Sequence, residues 1–145
     1  MKGRMLALAL LLGGCAGKEP PVVVKDLVIR DAYAFEAKKG GTAAAYAVIV
    51  NGRAAADLLD SVTSSAARFT SAHAQSESNG FVTMTPLERP TVATGDSLVF
   101  RPGGNHLMLE GVTRPLAAGD TLTITWWFMN GGPRAVLTTV RAYGS

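Results

Sequence analysis

DTLTITWWFM, residues 120–129, and RAVLTTVRAY, residues 134–143, decide the fold class of this chain. Both runs are rich in Thr, Val, Ile and aromatic residues, which suit a pleated, half-buried surface, and Asn130, Gly131, Gly132 and Pro133 interrupt them as turn material. Moving outward toward the N-terminus, the same grammar recurs. HLMLEG at 106–111, DSLVFR at 96–101, GFVTMTPL at 80–87, AARFTSAHA at 66–74 and DLLDSVTS at 57–64 come first, then AAAYAVIVNG at 43–52 and VVVKDLVIRDAYAF at 22–35. Short runs about ten residues apart, with Gly, Pro and Asn between them, predict an all-β sandwich or barrel. No long run keeps a 3.6-residue period, and the alanine-rich pieces at 42–47 and 54–56 allow at most a short helical turn. At 145 residues, 48% apolar and 17% charged, with no internal repeat, the chain is expected to form one domain around one core.

Trp126, Trp127, Phe128 and Met129 invite a reading as a stacking platform for a ligand. Consecutive strand residues point to opposite faces, so the run predicts core packing on one side and an exposed edge aromatic on the other. Asp31, Asp57, Asp60 and Asp120 stand beside turns or strand ends, where solvated or turn-capping roles are expected.

The N-terminus has a different character. Lys2 and Arg4 precede the apolar run 5–12, and Gly13-Gly14 leads into Cys15. That order is a secretion signal, with an apolar run far short of the roughly 20 residues that span a bilayer. Leu12-Gly13-Gly14-Cys15 resembles the bacterial lipobox, which implies cleavage before Cys15 and a lipid on its thiol. The alternative is an ordinary signal peptide with an incidental cysteine. We therefore expect residues 1–14 to be a lipoprotein signal peptide, 15–21 a lipid-anchored tether and 22–145 the β-domain. The mature chain would stand on the periplasmic side of the bacterial envelope, held to a membrane.

Removing residues 1–14 deletes two of the 14 Lys and Arg and none of the 11 Asp and Glu, which leaves 12 cations against 11 anions. The formal charge of +3 is thus largely a property of the signal, and no basic patch interleaved with aromatics remains for nucleic acid. The single cysteine, if lipidated, can be neither disulfide, nucleophile nor metal thiolate.

Beyond residue 14 the chain holds two histidines, His73 and His106, and three methionines, Met84, Met108 and Met129. In a strand, residues two apart project from one face, about 6.5 to 7 Å apart, so His106 and Met108 can share a focus while Leu107 and Leu109 face the core. His73 and Met84 bracket a turn candidate at Ser76 to Gly80. A two-residue Asn79-Gly80 turn would pair Ser78 with Phe81 and Gln75 with Met84, which leaves His73 diagonal to Met84; a turn one residue earlier would set them opposite. Two imidazoles with two thioethers favour Cu(I) over Zn(II), Mg(II) or Ca(II), and the thioethers need no deprotonation to bind. Met129 falls outside this spacing and is expected to be packing.

His73, ten residues, Met84, twenty-one residues, His106, one residue, Met108 resembles the H-x10-M-x21-H-x-M signature of the periplasmic copper chaperones called PCuAC. IRDAYA at 29–34, Asn51 with ADLLDSVTS at 56–64, and FRPGGNHLMLEGVTRPLAAGD at 100–120 are similar to further segments of that family. The resemblance implies a cupredoxin-like Greek-key β-sandwich that binds one Cu(I) per chain through His73, Met84, His106 and Met108. It also implies a copper-accepting partner: a cytochrome c oxidase subunit receiving copper at its CuA centre, or another thiol chaperone. A carrier of this kind is not an enzyme. G-x-S-x-G is absent, a blue-copper centre would need a cysteine ligand, and a zinc hydrolase would want carboxylates where Met108 stands. Two alternatives share the same β-domain: a copper-sequestering lipoprotein, and a structural or partner-binding envelope lipoprotein.

Overall fold

A computed structural model describes residues 25–145. The expected signal peptide, the tether and Cys15 lie outside the described residues. Within them the chain is all-β, as expected. Its strands are β1 (Leu27–Phe35), β2 (Thr42–Asn51), β3 (Asp57–Ser64), β4 (Ala67–Ser78), β5 (Phe81–Pro86), β6 (Thr91–Val92), β7 (Ser97–Phe100), β8 (His106–Val112), β9 (Thr121–Phe128) and β10 (Gly132–Arg141).

Alternation builds the core. Leu122, Ile124, Trp126 and Phe128 of β9 are buried, while Thr121, Thr123 and Trp127 are exposed. The aromatic run therefore divides as its parity requires. Trp126 packs edge-on to Phe100 at 5.2 Å. Trp127 lies outside and donates its indole N–H to Thr63 Oγ1 at 3.0 Å. Met129, expected to be packing, is instead exposed, because it lies beyond the strand end, beside Arg89. Leu27, Ile49, Leu107 and Leu109 complete the centre of the core, each at 2% exposure or less.

The strands follow one hydrogen-bonded path, β5-β4-β8-β2-β1-β10-β9-β3-β6, with β7 also on β2. Two features wrap this path around a single core. The long β2 serves two neighbours in succession, pairing Ala43 to Ala45 with β8 and Ala47 to Val50 with β7. Strand β1 carries a bulge, where Asp31 at φ 55° falls between the Arg30–Val48 and Tyr33–Tyr46 pairs. Beyond the bulge β1 runs parallel to β10, and the non-consecutive neighbours β4–β8, β8–β2 and β1–β10 give Greek-key crossovers.

The alanine-rich 42–47 segment is strand, in line with the 43–52 run, because pairing on both sides of β2 overrides alanine's helical preference. Two departures from the sequence reading have physical causes. Strand β4 runs on to Ser78, since β5 pairs with its second half. Strand β6 is two residues held against Asp57 and Leu58, too short to leave a periodic signal.

Asp57 is the turn-capping aspartate in its strongest form. Its buried carboxylate accepts N–H bonds from Leu58, Asn130 and Gly131 and pairs with Arg53 at 3.0 Å. Burial pushes this carboxyl up, but the three backbone donors and the guanidinium outweigh it and hold it below the ordinary aspartate range. A Cβ at Gly131 would lie 3.0 Å from Asp57 Oδ2, so the β9–β10 turn is built tightly around this group.

Candidate metal centre

The 73–84 half of the centre is a hairpin. Asn79 and Gly80 both have positive φ, 51° and 79°, the backbone of a two-residue type I′ turn. Ser78 consequently faces Phe81 and Gln75 faces Met84, while His73 pairs with Pro86 and stands diagonal to Met84. Position 80 has open space around it, so a side chain there costs only backbone strain. Gly80→Val is expected to loosen this hairpin by about 1 kcal/mol, read as faster amide hydrogen exchange across β4 and β5 with the rest of the sheet unaltered.

The other half is β8. Leu107 and Leu109 are fully buried in the core, which obliges His106 and Met108 to project from the opposite face. Met108 lies between Ala44 of β2 and Ser71 of β4, two small side chains that leave room above the sheet for its thioether. His106, 6% exposed, sets Nδ1 3.0 Å from the Gly104 carbonyl. A carbonyl only accepts, so Nδ1 carries the proton and Nε2 keeps its lone pair. Gly103, at φ 75°, lies in the tight turn that precedes β8.

His73 and His106 are direct cross-strand partners, and their rings stack with centroids 5.9 Å apart and planes 20° apart. The pair joins the two halves. His73 Nε2 lies 2.9 Å from Ser71 Oγ, two residues back on the same face of β4.

All four residues thus share one face of the β5-β4-β8 ribbon. Met84, His106 and Met108 also line one cleft of about 290 Å³, together with Gln75. His73 stands beside that cleft, against the His106 ring. Sequence reasoning missed the far wall. All three tyrosines and Phe35 collect there: Tyr33–Tyr46 centroids are 5.1 Å apart, Phe35–Tyr46 5.7 Å and Phe35–Tyr143 5.2 Å. Phe35, Tyr46 and Tyr143 line the cleft, as does Glu36. Burial, then the neighbouring Tyr33 and Tyr143, pushes the Tyr46 phenol up, so it remains neutral beside the thioethers. The signal was the same parity that placed the candidate ligands, with Tyr33 and Phe35 two apart on β1 and Tyr46 opposite Tyr33.

Two imidazoles and two thioethers without a carboxylate among them form a soft, uncharged donor set. That set suits Cu(I), and among its four donors a hard cation finds no oxygen. Among the described residues no group of three or more His, Cys, Asp or Glu offers a conventional site for a harder ion.

Known proteins share this fold. The family described as "Putative lipoprotein LpqE-like" matches residues 27–140. A relative in Leifsonia xyli subsp. xyli, "Putative lipoprotein Lxx21020", is 30% identical over 144 residues, covering 93% of this chain and 86% of its own. Among solved structures, the copper-bound PCuAC domain from PmoF2 superposes with a TM-score of 0.68 at 20% identity, over 82% of this chain and 95% of that domain. The Cu(I) form of DR1885 from Deinococcus radiodurans does so with a TM-score of 0.63 at 25% identity, over 86% of this chain and 85% of that one. The chain therefore belongs to the LpqE-like lipoprotein family, built on the cupredoxin-like PCuAC fold that its His and Met spacing resembles.

Proposed function

We propose that this protein is a copper carrier of the bacterial envelope. It binds one Cu(I) through His73, Met84, His106 and Met108 and passes it to a cuproprotein, with the CuA site of cytochrome c oxidase as the destination, directly or through a thiol chaperone. The lipid on Cys15 confines it to the periplasmic side of a membrane. The observation that carries the reading is the convergence of Met84, His106 and Met108 on one cleft, with the His106 Nε2 lone pair free. The copper-bound PCuAC domain and the Cu(I) form of DR1885 support it through their shared fold.

The arrangement suits transfer better than turnover. Met84 is 53% exposed on the outermost strand, so an incoming ligand can approach copper from the Met84 side while His106 and Met108 still hold it. His73 enters the coordination sphere by giving up its bond to Ser71, which exchanges one hydrogen bond for one metal bond. Ser71→Ala removes this competitor and is expected to raise Cu(I) affinity about two- to fivefold, by roughly the 0.5 to 1 kcal/mol of one net hydrogen bond.

Competition of the full-length protein against a chromophoric Cu(I) chelator tests the reading. One tightly held equivalent is expected, with sulfur and nitrogen neighbours in X-ray absorption; failure to compete refutes it. Sequestration for copper resistance shares this chemistry and differs in destination. If the protein delivers, its deletion lowers oxidase activity under copper limitation; if it stores, deletion chiefly raises copper sensitivity.

A further inference from the structure

The face that carries the candidate ligands also carries an unusual density of exposed apolar side chains. Phe69 and Val82 project from it, by their pairing with Glu110 and Glu77, at 71% and 55% exposure. With Met84 at 53% and Tyr143 at 82% they form a discontinuous apolar collar around the cleft. The ribbon ends at β5, FVTMTP, whose six residues are all exposed and uncharged and whose outer edge pairs with no described strand. Solvated single hydrophobics are ordinary, but a collar of them around a cleft marks a surface that meets something.

The charges say what. Asp26, Asp31, Asp57, Asp60 and Asp120 are each paired with an arginine. Glu36, Glu77 and Glu110, the three acids on or beside the ligand face, form no ion pair among the described residues. Glu36 takes only the Tyr143 N–H, at 3.3 Å. Arg141 is stacked on the Tyr33 ring at 4.0 Å, and neither residue lines the cleft; Lys38 stands with Glu36 and Tyr143 along a neighbouring groove without an ion pair to that carboxylate. An apolar centre is thus rimmed by carboxylates that no described arginine or lysine pairs.

We propose that this face is the docking surface for the copper acceptor, and that the acceptor presents an apolar patch bearing its soft ligand within a Lys- and Arg-bearing rim. The inference rests on the carrier reading for the identity of the cargo. A second copy of this chain is the poorer occupant, because a two-fold contact would bring glutamate rims together. An anionic membrane surface is repelled for the same reason. Opposite charge at the rim steers encounter and fixes orientation, and desolvation of the collar supplies adhesion. Met84, on the outermost strand, is then the candidate ligand nearest the partner.

The test uses the full-length protein and two fluorescent dithiol peptides with the same apolar centre, one flanked by lysines and one by glutamates. Copper transfer is followed by stopped flow, and anisotropy measures peptide binding without copper. The lysine peptide is expected to receive copper and to bind about tenfold better at an ionic strength of about 0.01 M, with the difference shrinking toward 0.15 M. Glu36→Gln/Glu77→Gln/Glu110→Gln should abolish the preference, Glu88→Gln/Asp96→Asn should preserve it, and Phe69→Ser/Val82→Ser should weaken both peptides. Equal behaviour of the two peptides, or equal losses in both carboxylate variants, overturns the proposal. So does self-association that blocks the face, or binding to anionic vesicles that the Phe69→Ser/Val82→Ser variant loses. A preference that persists in anisotropy while no copper is held sinks the carrier reading and leaves the docking surface standing.

Discussion

A Met84→Ala/Met108→Ala chain is expected to fall at least about 100-fold in Cu(I) affinity while folding and melting almost as the parent does. The scale follows from metal sites generally: loss of a partner that merely orients a ligand costs 10- to 100-fold, and here two ligands go. Two residual imidazoles leave a site that no longer prefers copper over zinc, so selectivity should collapse with affinity. The fold should survive because neither thioether holds the core. Met84 is 53% exposed, and Met108 sits on the outer face between Ala44 and Ser71, backed by Leu107 and Leu109, which do the packing. Chelator competition gives the affinity, and circular dichroism during heating gives the stability. Unchanged copper binding would refute the ligand assignment; a large drop in melting temperature would show that the sulfurs are structural.

The second large effect lies at the other kind of buried polar group. Asp57→Ala is expected to destabilise the domain by about 3 kcal/mol, because Asn130, Gly131 and Leu58 N–H groups lose their acceptor and Arg53 its counter-ion. Asp57→Asn keeps one carbonyl acceptor and should cost less. The pH dependence has a definite sign. The folded-state carboxyl is held below its unfolded value, so its stabilisation is complete above the unfolded aspartate range near 4 and is lost as pH falls through that range toward the lower folded value. Urea midpoints measured from about pH 7 to 3 should therefore fall in the parent and fall less steeply in Asp57→Ala. Parallel curves would show that Asp57 is not the group responsible.

The contrast between Asp57 and His106 shows how legibility differs among buried polar residues. His106 could be read from its strand, because Leu107 and Leu109 commit the core face and leave the histidine the other. Asp57 read only as a strand-end aspartate. Its partners at 130 and 131 are more than seventy residues away, and nothing local to DLLDSVTS announces them. Asn51 is similar: fully buried, it donates to the Val92 and Ala55 carbonyls, a role that exists only once β6 reaches the end of β2.

Within its own length, then, the sequence determined every strand but β6, the inward and outward sides of β8 and β9, and a choice of two hairpin registers, of which the structure takes the one that sets Met84 against Gln75. Each of these follows from a period of two and from the turn demanded by Asn79-Gly80, interactions that span a few residues. It also carried the candidate soft donor set, since scarce His and Met stand at a fixed spacing. Only the tertiary structure decided that β4 lies beside β8, which stacks His73 on His106, and that the aromatic wall from β1, β2 and the C-terminal end closes over the same cleft. The reason is physical. Which strands become neighbours is chosen by burial of the whole core at once, a collective quantity that no local pattern carries.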